Sequence, residues 1–145
     1  MTRVDFHTHI ADRLGYACRL VRKAYLADQP VIVFGAPEQL RAFDSLLWTF
    51  SPLEFVPHCM SGSATVADTP IVLTSDCDSA PHQNVLLNLG DAVPPSFARF
   101  QRLLELVGDT PDALHSGRDR YRFYRDRGYP LNSFRQGQAP TAEAP

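Results

Sequence analysis

Lysine is nearly missing from this chain of 145 residues: Lys23 stands alone beside thirteen arginines. Sixteen acidic residues outnumber the basic ones, and the formal net charge is −2. That balance argues against a broadly basic surface tracking nucleic-acid phosphates, which would draw on many Lys and Arg contacts. Arginine usage can follow genome composition as readily as carboxylate recognition, so the bias decides little by itself. Only three cysteines occur, Cys18, Cys59 and Cys77, an odd number at wide spacings. They read as reduced thiols rather than a disulfide framework or a CxxC metal site. Long hydrophobic runs are missing as well. Nothing approaches the roughly 20 apolar residues of a membrane span, and Met1 to Asp5 does not open a signal peptide, so a cytoplasmic protein is expected.

Glycine-rich phosphate loops are also absent. His7-Thr8-His9-Ile10 follows the first expected strand and Gly35-Ala36-Pro37 the second. Neither is GxGxxG or GxxxxGK[ST], so no turn lets backbone N–H groups cradle a phosphate, and no cofactor is expected.

What is present reads as α/β. Val4 and Phe6 alternate on one face of a strand from Arg3 to His7. Leu14, Ala17, Cys18, Val21 and Tyr25 form one helical stripe, and Val31-Ile32-Val33-Phe34 is the continuous apolar run of a parallel strand covered on both faces. Pro37 suits a helix first turn, with Leu40, Phe43 and Leu47 continuing to Trp48. Residues 51–70 look irregular; Ile71-Val72-Leu73 and Val85 to Leu89 return as strands. Phe97, Phe100, Leu103, Leu104 and Val107 predict an amphipathic helix ending at Gly108. Thr110, Pro111 and Asp112 then cap a last helix that stops at Gly128. The expectation is one domain over 1–135, a mostly parallel Rossmann-like sheet flanked by helices, with 136–145 a disordered tail.

Two segments could carry chemistry. The pair His7-x-His9 at the end of the first strand is how metal-dependent hydrolases aim two imidazoles at one metal. Such barrels run to about 250 residues and take further ligands from later strand ends. His58, His82 and His115 have no acidic partner in such positions, so polar residues closing a strand are the better reading. The final helix is more informative. Between Asp112 and Arg135, six arginines face three aspartates, a net positive stretch in a negative chain. Arg118, Tyr121, Arg122 and Arg125 fall at i, i+3, i+4 and i+7 on one stripe. That stripe can recognise an acidic peptide through arginine and aromatic contacts, or it can be a solvated helix with internal Asp–Arg pairs.

Leu47-Trp48 with Phe55-Val56-Pro57-His58, and Asp119 to Arg125 with Gly128-Tyr129-Pro130-Leu131-Asn132, together resemble the chi subunit of bacterial DNA polymerase III. The likeness extends over about residues 2–134, although only these two blocks are specific. It implies a Rossmann-like fold without nucleotide chemistry and a non-catalytic adaptor in the clamp-loader assembly. Such an adaptor pairs one-to-one with the psi subunit and binds the acidic, Phe-ended tail of single-stranded-DNA-binding protein. Mapped onto this chain, Arg118 and Tyr121 carry the tail pocket, with Val107 a further member and Arg122 or Arg125 as additional cations. Trp48, Phe55 and Val56 map to the psi-facing surface. No direct DNA contact, metal or membrane association is implied. Some members carry a lysine four residues before the tail-binding arginine, where this sequence has Leu114.

Overall fold

The computed structural model describes residues 2–49, 57–60 and 69–136. Seven strands form one sheet: β1 (Arg3–Ile10), β2 (Val31–Phe34), β3 (His58–Met60), β4 (Ile71–Thr74), β5 (Val85–Asn88), β6 (Arg102–Gly108) and β7 (Leu131–Arg135). Three helices accompany them, α1 (Arg13–Leu26), α2 (Pro37–Thr49) and α3 (Pro111–Asp126). The strand order is β3-β4-β2-β5-β6-β1-β7, and every pairing is parallel.

Parallel strands in the middle of such a sheet are buried on both faces, which accounts for their unbroken apolar runs. On one face Val31, Val33, Ile71, Leu73, Val85 and Leu87 pack under α1 and α2. On the other, Ile32, Val72 and Leu86 join Val4, Phe6, Leu103 and Val107 under α3. Asp12 caps α1 by accepting from the Gly15 N–H at 3.1 Å, and Thr110 caps α3 by accepting from the Ala113 N–H at 3.2 Å. Gly128, at φ +81°, supplies the left-handed residue that ends the turn after α3.

One expected element has the wrong type. Phe97–Arg99 is a single 3₁₀ turn, and Leu103 to Val107 belong to β6, paired between β5 and β1, rather than to a helix. In a strand buried on both faces, apolar residues occupy both parities, so spacings of three and four arise without a helix; periodicity alone does not separate the two. β3 and β7 have no counterpart among the expected elements. β3 has three residues and β7 alternates half-buried and exposed positions at the sheet edge, so neither makes a strong apolar signal. Phe55, Val56 and residues 137–145, the latter within the expected tail, lie outside the described residues.

Candidate functional site

Beneath α3 lies a cavity of about 270 Å³ lined by Phe6, Thr8, His9, Val107, Leu114, Gly117, Arg118, Tyr121 and Ser133. Its floor comes from β1 and β6, where Phe6 and Val107 point to the α3 face. Tyr121 forms a wall and is held in place by Phe6, ring to ring at 5.3 Å and edge-on. Gly117 lets the helix approach. A Cβ there would meet the Val107 methyls at 2.7 and 2.8 Å, so only glycine permits this contact between α3 and β6.

Arg118 lines the cavity from an exposed position, and among the described residues no carboxylate pairs with it. Leu114, one turn earlier, adds apolar lining. The cavity therefore gathers Val107, Arg118 and Tyr121 but not Arg122 or Arg125. Arg122 donates to Asp119 at 2.7 Å and Arg125 to Asp126 at 3.2 Å, both on the exposed side of the helix. Both therefore carry an aspartate partner on their own helix.

A buried polar cluster fixes α3 in this position. Glu105 of β6 is fully buried and accepts from Arg120 Nε at 3.1 Å, Tyr124 Oη at 2.5 Å and Asn88 Nδ2 at 3.0 Å. Three donors converging on two oxygens is the pattern of an ionised carboxylate. Burial pushes its pKa up, while Arg120 and the hydrogen bonds from Tyr124, Asn88 and Arg120 pull against that. The Tyr124 phenol, raised by its own burial and by Glu105, stays protonated and donates. Arg120 also donates to the Asp91 carbonyl at 2.8 Å and to Ser116 Oγ, tying the helix to the segment after β5. In the sequence Arg120 is only one of six arginines between Asp112 and Arg135, and spacing gives it no role of its own. The signal that could have revealed it is Glu105, a lone charge inside an apolar run, which needs a buried cation from a neighbouring element.

Trp48 stands at the end of α2 with 55% of its surface exposed, its ring 5.0 Å from that of His58 on the edge strand β3. Asp44 lies 3.0 Å from His58 Nε2 and steadies that ring. Met60, on the same strand, is also exposed, so an apolar patch runs from α2 onto the sheet edge.

The two histidines do not act as a pair. His9 adopts a left-handed backbone, φ 59°, where the β1–β6 register shifts between His7 and Ile10. The break in alternation sends His9 to the α3 cavity and leaves His7 on the opposite face beside Tyr16 and Phe134. Among the described residues no group of three His, Cys, Asp or Glu converges as a ligand set. The alternative of a metal-dependent hydrolase built on His7 and His9 therefore has no support in this geometry. His7 is instead a buried neutral imidazole, its Nδ1 2.5 Å from Tyr16 Oη and its pKa lowered to about 4 by burial, with Arg102 and Lys23 adding to the effect and Asp5 opposing it. The unfolded chain protonates near 6.5, so the stability tied to neutral His7 is fully present above that pH and lost as pH falls toward about 4. Urea unfolding between pH 7.5 and 4.5 should show this acid limb in the native chain and a shallower one in His7→Gln.

Residues 1–132 match the family model described as DNA polymerase III chi subunit, HolC. This chain belongs to the chi subunit family. The DNA polymerase III subunit chi of Pseudomonas aeruginosa is 37% identical over 140 residues, covering 93% of this chain and 97% of the relative. That of Haemophilus influenzae is 29% identical over 119 residues, covering 81% and 83%. Membership makes the chain a DNA polymerase III subunit of the accessory kind and places it in DNA replication. Its described helices include none long and apolar enough to cross a membrane. Cys18 and Cys77 are buried, with thiols pushed up to about 12 and about 11, chiefly by burial, so they serve as packing groups rather than nucleophiles.

Proposed function

We propose that this chi-family chain is a non-catalytic adaptor that holds the acidic, Phe-ended tail of single-stranded-DNA-binding protein in the α3 cavity, linking it to the clamp-loader assembly. One observation carries the reading: an apolar cavity whose lining includes Arg118, an arginine with no carboxylate partner among the described residues. A cavity of roughly 150 Å³ can hold benzene, so the 270 Å³ here accommodates a terminal phenyl ring. Arg118 would then meet the carboxylates of the tail as a charge-assisted donor. With Leu114 in place of a second cation, Arg118 supplies most of the ionic contact.

Isothermal titration with an acidic peptide ending in Phe tests this. Arg118→Ala should weaken binding by about 1–3 kcal/mol, the range for a hydrogen bond to a charged group, and should flatten its salt dependence. Tyr121→Ala should also weaken binding, through lost apolar contact, yet keep the salt dependence. Wild-type affinity in Arg118→Ala at low salt would remove the cavity from the tail-binding account.

The psi subunit is proposed to dock on the patch that includes Trp48, with Phe55 and Val56 as its further anchors. Trp48 is a large aromatic group left half in water beside a short edge strand, the setting of an interface anchor. Trp48→Ala should cost about 2 kcal/mol or more in psi affinity with little change in the melting temperature. Undiminished co-purification of psi with this variant would place the interface elsewhere.

A further inference from the structure

The face of the sheet opposite α3 holds a second and larger cavity, of about 630 Å³, between α1 and strands β1, β6 and β7. Its wall is apolar and aromatic where Leu20, Leu104, Tyr16 and Phe134 meet. The His7 ring lies between two others, 5.3 Å from Tyr16 and 5.1 Å from Phe134. Three cations, Lys23, Arg102 and Arg135, belong to the lining, which contains no acidic residue. Arg102 is held by Asp5 at 2.7 Å, but among the described residues neither Lys23 nor Arg135 pairs with a carboxylate.

His7 supplies the second, independent observation. It is nine-tenths buried, its Nδ1 is taken up by Tyr16, and among the described residues its Nε2 has no hydrogen-bond partner. A buried polar atom left without a partner is unfavourable, and this one belongs to a residue of the cavity lining. Gln29 and Gln136 place amides in the same lining. Amides and a neutral imidazole offer both donors and acceptors, which suits the edge of a nucleobase better than the acceptor-only carboxylates of an acidic peptide. Cations and an aromatic face complete the requirements of a phosphate and a planar base.

We propose that this cavity binds a nucleoside phosphate, with the base against Phe134 and His7 and the phosphate met by Lys23 and Arg135. Recognition here uses side chains on the α1 face and needs no glycine loop. The site is separate from the α3 cavity and does not depend on the tail-binding reading. The ligand is a free nucleotide or a nucleotide within a single strand, and the two sources share this chemistry.

Titration of the full chain with dAMP, and separately with a 5′-phosphorylated thymidine oligonucleotide, tests the proposal and distinguishes the sources. Saturable binding is expected for at least one probe. Lys23→Glu combined with Arg135→Glu, both exposed positions, should weaken it at least tenfold while leaving the thermal unfolding profile unchanged. Phe134→Ala should weaken it independently of salt. The proposal is overturned if neither probe binds at millimolar concentration or if the charge-reversed chain binds as the native one does. Equal binding of inorganic phosphate, or displacement of the nucleotide by an acidic peptide from this face, overturns it too.

Discussion

Replacing Arg120 by Met is expected to lower stability by about 3–5 kcal/mol at neutral pH, since removing one partner of a buried ion pair leaves the other charge uncompensated. Glu105 is fully enclosed, and the hydrogen bonds from Tyr124 and Asn88 that remain do not replace a cation. The deficit should shrink with acid. In the variant, burial is unopposed by Arg120, so the folded-state pKa of Glu105 lies further above its unfolded value. A carboxyl raised in this way favours the fold when protonated and disfavours it as pH rises, so the variant recovers toward the native chain as pH falls toward 5. Adding Glu105→Gln should restore much of the loss at neutral pH, because the charge is gone. Urea melts of the single and double variants at pH 7.5 and 5.5 check both the size and the sign. A loss of under 1 kcal/mol in Arg120→Met would mean that the pair does not anchor α3.

Gly117→Val is expected to destabilise the chain by about 2–3 kcal/mol, in the upper part of the range for overpacking. The added Cβ alone would lie 2.7 Å from a Val107 methyl, and the branched Val107 side chain has little freedom to turn away. Valine is a better helix former than glycine by only a few tenths of a kcal/mol, so the clash decides the sign. Both residues line the α3 cavity. Peptide binding should therefore drop at least tenfold, either because α3 lifts from the sheet or because the new side chain fills the space. Pairing Gly117→Val with Val107→Ala should return part of the stability, and the double-mutant cycle should show a coupling well above 0.5 kcal/mol. Additive effects would contradict direct contact between the two.

The parts of the fold legible in the sequence were those where one physical requirement dominates. Val31 to Phe34 and Ile71 to Leu73 can only be interior parallel strands once helices alternate with them, and Thr110-Pro111-Asp112 can hardly be anything but a helix start. β6 is ambiguous because Leu103 to Val107 satisfies a strand and a helix equally until its neighbours are known. The candidate site divides in the same way. Arg118 and Tyr121 share a helical stripe, which spacing reveals, and the structure joins them to Val107 across the α3–β6 contact. Spacing along the helix could not separate Arg118 from Arg122 and Arg125, because aspartates beside those two neutralise them locally. Nor could it show that Arg120 turns inward, since its partner lies fifteen residues away on another element. The His7-x-His9 pair misleads because alternation is assumed to persist to the end of β1, and one left-handed residue breaks it.

The most direct test of the tail-binding account is a map of amide and side-chain NMR shifts in the full chain as the acidic, Phe-ended peptide is added. The largest changes are expected at Val107, Leu114, Gly117, Arg118 and Tyr121, with cross-relaxation between the terminal phenyl ring of the peptide and the side chains of Tyr121 and Val107. Changes gathered around Trp48 or around His7 and Phe134 instead, with the α3 cavity silent at saturating peptide, would contradict it.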